Sequence, residues 1–280
     1  MKSNLVTRAL TGVIFVAVMV GSIIGGKISF GLLFLLITLL AVREFCHLAN
    51  KYEKGVNVNT PLCMLGGGFL FASFYLNALM PGIQSAFIPY LIVLLGIMVS
   101  ELYYKMPNPA ANWAWAIMSQ VYVALPFSLI NILAFPGGSY SLSEYHYIFP
   151  LALFIFIWSS DTGAYCTGCT IGRHKLFPRV SPGKTWEGSV GGAMFALAAA
   201  AVISHYDSTL PLWGWMAFAL TAVVFGTWGD LVESLLKRHW GIKDSGSILP
   251  GHGGMLDRFD STMLAVPAIL VCLLGIRMWG

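Results

Sequence analysis

A chain of 280 residues could hold one or two domains, but 57% of these residues are hydrophobic and only 10% are charged. Soluble domains carry roughly 25% charged residues, so a soluble globular protein is excluded. The net charge of +4 calls for no nucleic-acid partner, because basic loops suit anionic lipid head groups equally well.

The apolar residues gather in runs near the ~20 needed to cross a bilayer as a helix. They predict an all-α polytopic integral membrane protein with about nine transmembrane helices. The expected spans are 8–24, 28–45, 61–79, 84–103, 112–134, 147–168, 188–205, 210–229 and 260–279. The first run lacks a small-residue cleavage site and another apolar run follows at once, so it reads as a span and not as a cleaved signal peptide. Residues 1–110 form an N-terminal set of helices and 111–280 a C-terminal set, with no soluble domain expected.

Orientation follows from Lys and Arg placement. Lys2, Arg8, Arg43, Lys51, Lys54, Lys105, Arg173, Lys175, Arg179, Lys184, Lys237, Arg238, Lys243 and Arg258 all fall on one side of a nine-span arrangement. Only Lys27 and Arg277 fall on the other. The N-terminus is therefore predicted cytoplasmic, the C-terminus outside, and the 229–261 segment cytoplasmic.

The first 110 residues offer packing and little chemistry. Arg43, Glu44 and His47 stand at the inner end of the second span and read as a structural ion pair at the membrane interface. Gly66, Gly67 and Gly68 lie within the third span, where small residues let helices approach. The loop at 135–145 has no Lys or Arg, as an outer loop should.

The sixth run carries Asp161 in or near its apolar end. An acid at that depth costs on the order of 3 kcal/mol by insertion scales and persists by facing a polar cavity, a partner or a metal. A structural pairing with a nearby Lys is the plainer alternative. Cys166 and Cys169 form a CxxC without a second pair, so helix packing explains them better than zinc. Next come Arg173, His174 and Lys175, then Ser181-Pro182-Gly183-Lys184-Thr185-Trp186-Glu187-Gly188. This is not a Walker A loop, because the GxxxxGK[ST] spacing is absent and no strand is expected to lead in. Glycine backbone, a Lys and hydroxyls can still hold phosphate oxygens.

Segment 229–261, between two long apolar runs, is the most polar part of the chain. Two acidic pairs bracket it, Asp230/Glu233 and Asp257/Asp260. At i,i+3 spacing on a helix each pair shares a face and suits a hard cation such as Mg²⁺. Between them lie Lys237, Arg238, Lys243 and the turn Pro250-Gly251-His252-Gly253-Gly254. Glycines there allow backbone N–H groups to approach an anion. Acids for metal and cations for phosphate point to phosphoryl or nucleotidyl transfer.

Ser234, Lys237-Arg238, Lys243-Asp244, His252-Gly253-Gly254, Asp257-Arg258 and Asp260 together closely resemble the signature of the phosphatidate cytidylyltransferase (CDP-diacylglycerol synthase) family. Asp161-Thr162-Gly163-Ala164-Tyr165 and 181–188 are similar to further blocks of the same family. The resemblance implies CTP + phosphatidate → CDP-diacylglycerol + pyrophosphate, at the cytoplasmic face of a bacterial cell membrane, among membrane phospholipids. It implies Mg²⁺ or Mn²⁺ at two cation sites, with room for a monovalent cation and for a homodimer.

On that reading Asp230, Asp257 and Asp260 hold metal, with Asp161 as an additional candidate and Glu233 as ligand or orienting group. Ser234, Lys237, Arg238, Lys184, His252 and Arg258 are candidate catalytic groups. Lys175, Ser181, Lys184, Thr185, Lys243, Gly253 and Gly254 are candidate substrate binders. The residues alone leave other classes open. A lipid kinase would use the same ingredients, and a transporter could run an anion path past Asp161. A CDP-alcohol phosphotransferase is less suited, because its DG…AR…G…D…D array is absent.

Overall fold

The computed structural model describes residues 2–136, 144–246, 248 and 253–279, with side chains described between residues 10 and 276. Among the described residues the chain forms nine long helices and one small hairpin. The first five helices are α1 (Lys2–Ile24), α2 (Lys27–Tyr52), α3 (Thr60–Leu79), α4 (Gln84–Tyr104) and α5 (Pro109–Ala134). After α6 (Ile148–Ile171), strands β1 (Lys175–Phe177) and β2 (Ser181–Thr185) pair antiparallel. Then follow α7 (Trp186–Tyr206), α8 (Leu212–His239) and α9 (Leu256–Trp279). Among the described residues eight of these helices are long and apolar enough to cross a membrane, and the part of α1 with described side chains, Leu10–Ile24, is apolar too. The chain is a polytopic, almost wholly helical membrane protein.

The helix boundaries have local causes. Gly26, at φ 111°, separates α1 from α2 in a conformation that side chains rarely adopt. Asn59 caps α3 by accepting from the Leu62 N–H, and Asn108 caps α5 by accepting from the Ala111 N–H. Each is followed by a proline at the start of its helix, where the missing N–H costs nothing. Within α5, a π-helical stretch at Ser119–Ala124 precedes Pro126. The proline lacks the N–H that a regular helix would use there.

Two departures from the expected spans bear on function. Helix α8 does not end near residue 229 but runs on to His239. The 172–188 loop is not plain coil, since a strand holds Lys184 and leads directly into α7.

The helices pack as two compact units. One comprises Met1–Tyr147 with Ile242–Phe259. In it α2 lies along α3, and α5 packs against both. Phe30, Phe34, Phe45, Phe127 and Phe259 are fully buried there. The Phe259 ring meets Phe127 edge-on at 5.4 Å and Phe15 at 5.8 Å. Buried Asn112 donates to Glu101 at 2.8 Å and accepts from the Asn57 N–H at 2.8 Å, which ties the 53–59 connection to α5 and α4.

The second unit comprises Ile148–Gly241 with Asp260–Gly280. Lipid tails are as apolar as leucine, so helices here associate through close packing and not through hydrophobic exclusion. The sequence supplies the small residues this needs. A Cβ on Gly192 would come within 2.7 Å of the Ser160 carbonyl, so α6 and α7 run backbone to backbone. A Cβ on Gly229 would come within 2.5 Å of the Asp260 carbonyl, so α8 and the adjoining part of α9 are equally close. That approach brings Asp230 and Asp260 into one neighbourhood.

Candidate functional site

The extension of α8 past residue 229 carries Asp230, Glu233, Ser234, Lys237 and Arg238 on continuous helix. Helical spacing then decides their partners. Ser234 Oγ donates back one turn to Asp230 Oδ1 at 3.1 Å. Lys237 Nζ lies 3.3 Å from Glu233 Oε1, with both side chains nearly buried. Removing either partner of such a pair would strand a buried charge. Arg238 is exposed at the helix end.

Strand β2 delivers the second component. Lys184 Nζ stands 2.6 Å from Asp230 Oδ2, each side chain a little over a quarter exposed. The next residue, Thr185, is buried and caps α7 by accepting from the Gly188 N–H at 3.1 Å. Its role is to fix where Lys184 leaves the strand. Ser181 begins β2, and Lys175 pairs with Thr185 in register and is exposed. Glu187 locks this hairpin, accepting from the N–H groups of Arg173 and His174 and lying 2.5 Å from His174 Nδ1.

Helix α6 supplies Asp161. With Ser160, Lys184, Thr185 and Thr227 it lines a cavity of about 210 Å³, and a smaller adjoining space reaches Ser261. Asp260 interacts electrostatically with Asp230 and Asp161 as like charges and with Lys237 as an opposite one. Its Oδ1 also accepts from the Ser261 N–H at 2.5 Å. The structure thus brings Asp161, Asp230, Asp260, Lys184, Ser234, Glu233 and Lys237 together in one unit.

The other unit holds a second cluster. Asp257 Oδ2 accepts from the Ser245 N–H at 2.8 Å, the Ser245 hydroxyl at 2.9 Å and the Gly254 N–H at 2.8 Å. Gly253, at φ 83°, packs directly on that carboxylate. The Gly254 N–H is therefore given to the protein's own acid and not held open for a phosphate. Glu44 of α2 is 7% exposed and accepts from the Met255 N–H at 2.8 Å, the Leu256 N–H at 3.1 Å and the Ser245 hydroxyl. The expected Arg43–Glu44 ion pair is not made. Instead Glu44 turns inward to the start of α9, while Arg43 lines an adjacent cavity of about 390 Å³ with His47, Lys51 and Asp244.

Lys243 and Arg258 are exposed. His252 lies outside the described residues, as do Pro250 and Gly251 of the glycine-rich turn. Sequence reasoning missed Ser160, Thr227, Glu187, Ser245 and the role of Glu44. Ser245 sits directly after Lys243-Asp244, so only its position inside the signature could have drawn notice.

The pattern of the cytidylyltransferase family matches residues 6–275, nearly the whole chain. The chain belongs to the cytidylyltransferase family. A phosphatidate cytidylyltransferase of Staphylococcus saprophyticus is 35% identical over 248 residues, covering 77% of this chain and 94% of its own. One from Staphylococcus haemolyticus is 34% identical over 246 residues, covering 76% and 93%. One from Staphylococcus aureus reaches 42% over 162 residues, covering 58% and 59%.

Among the described residues no group of three or more His, Cys, Asp or Glu side chains is arranged to hold a metal ion. Even so, the donor chemistry of this family member fits a hard divalent cation. Asp161, Asp230 and Asp260 are oxygen donors, Asp260 lying within the electrostatic reach of the other two, and Mg²⁺ takes such carboxylates together with substrate phosphates. Lys184 supplies the balancing positive charge on Asp230.

Proposed function

We propose that this chain transfers the cytidylyl group of CTP to phosphatidate, forming CDP-diacylglycerol and pyrophosphate. The observation that carries the reading is the Lys184–Asp230 contact at 2.6 Å. It joins the Ser-Pro-Gly-Lys-Thr block to the 229–261 signature beside Asp161, and the family's match over 6–275 supports it.

In the reaction a phosphatidate oxygen attacks the α-phosphorus of CTP. The bond from that phosphorus to the bridging oxygen breaks, and pyrophosphate leaves with the electron pair. The lipid phosphate is already ionised, so no general base is needed. The obstacle is the approach of one anion to another. Lys184 meets it by exchanging Asp230 for a phosphate oxygen as substrate enters. Ser234 holds Asp230 in its rotamer when Lys184 departs, and the Glu233–Lys237 pair keeps a cation against that turn of α8. Arg238 and Arg258, both exposed, would bind substrate phosphates. Asp161, Asp230 and Asp260 would hold Mg²⁺ or Mn²⁺ in their unit, and the signature assigns Asp257 to cation binding as well. When bound, such a cation neutralises the triphosphate and polarises the phosphoryl group under attack.

On this reading the reaction runs at the cytoplasmic face of a bacterial membrane, a location that the bias in Lys and Arg placement supports. The purified protein should release pyrophosphate only with CTP, phosphatidate and Mg²⁺ all present, and chelator should stop it. Release without phosphatidate, or undiminished in chelator, contradicts the reading.

A further inference from the structure

We propose that Glu44, far from the signature in sequence, is the positioning residue for Asp257. The inference rests on the cytidylyl-transfer reading and on the signature's assignment of Asp257 to cation binding.

Helix α9 begins at Leu256, and the first N–H groups of a helix have no partner within it. Such an end is usually satisfied by a side chain just before it in sequence. Here the acceptor comes from another helix. Glu44 Oε2 takes the Met255 N–H at 2.8 Å and Oε1 takes the Leu256 N–H at 3.1 Å. A carboxylate there is also favoured by the positive end of the helix dipole.

Ser245 extends the hold to Asp257. Its hydroxyl lies against Glu44 Oε1 and 2.9 Å from Asp257 Oδ2. That hydroxyl lies between the two carboxylates and sets the spacing of both. The Ser245 and Gly254 N–H groups fix the same Oδ2 at 2.8 Å each. The space is fully used, because a side chain on Gly254 would run into the Glu44 carboxylate. Glu44 therefore determines where α9 starts, how Ser245 stands and which way the Asp257 carboxyl is turned. Partners that orient metal-binding carboxylates commonly change metal affinity ~10–100-fold when removed.

The test is Mn²⁺ binding by electron paramagnetic resonance on the full-length protein in detergent, without CTP or lipid. Glu44→Gln keeps the volume but turns an N–H₂ group toward N–H donors. It should weaken Mn²⁺ about 10-fold or more and speed hydrogen exchange at residues 253–258. Glu44→Asp keeps the charge and should fall between Gln and wild type, and it decides the question if Glu44→Gln does not fold. Asn112→Ala, a buried change elsewhere in the same unit, should lower thermal stability and leave Mn²⁺ affinity alone. Wild-type Mn²⁺ affinity in folded Glu44→Gln or Glu44→Asp overturns the proposal, as does an equal loss in Asn112→Ala. Weakened Mn²⁺ binding in a protein whose wild type transfers no cytidylyl group would uphold the positioning role and reject the proposed reaction.

Discussion

Lys184 and Asp230 hold each other at 2.6 Å, and the proposed reaction would give each a second duty, one toward phosphate and one toward a cation. Lys184→Ala should raise the KM for CTP and lower kcat, together at least ~100-fold, the scale of losing a major electrostatic stabiliser. A steady-state comparison on protein of wild-type melting temperature checks this. Asp161→Asn keeps shape and removes charge. Asp161 is an exposed residue on a cavity wall, so the variant should stay folded, lose most activity and need more Mg²⁺. Lower stability with turnover per folded molecule intact would instead make Asp161 a structural residue. Asp161 was readable in the sequence because a carboxylate in an apolar run is costly enough to need a reason. Glu44 was not, since it too looked explained by its neighbour Arg43. Its actual partners lie about 200 positions away in sequence, and no local pattern encodes such a pairing.

Between elements, two glycines on α8 make opposite predictions. Glycine to alanine inside a helix gains ~1 kcal/mol in propensity. At Gly226 the added Cβ meets Ser261 Cβ at an ordinary 3.5 Å, so the gain should survive and Gly226→Ala should melt at or slightly above wild type. At Gly229 the Cβ would press on the Asp260 carbonyl at 2.5 Å. Backbone cannot yield as a side-chain tip can, and overpacking costs ~1–3 kcal/mol, so Gly229→Ala should melt lower and lose activity by shifting Asp260 from Asp230. Equal melting temperatures for the two would refute this account of the α8–α9 contact. The helices were legible as apolar runs, but their ends less so. The charged end of α8 has low hydropathy though its backbone stays helical to His239. The hairpin escaped notice because three- and five-residue strands containing Pro182 and Gly183 carry no alternation to detect.

For the whole molecule, composition alone gave the membrane class, because 57% hydrophobic residues in long runs allow little else. Orientation rests on the Lys and Arg bias and is open to a direct check. In a background stripped of native cysteines, a cysteine at Gly246 should be labelled only from the cytoplasmic side. One at 137–139, outside the described residues, should be labelled only from outside. Labelling of both from one side would mean an odd error in the number of crossings between them. The function stands on a different measurement. Purified protein is given phosphatidate, Mg²⁺ and CTP carrying ³²P at either the α or the γ position. The account predicts lipid-extractable label from α-³²P-CTP alone, with γ-³²P recovered wholly as pyrophosphate. Transfer of γ-label to lipid would make the protein a kinase, and absence of label from both would leave it no transferase; either result contradicts the account.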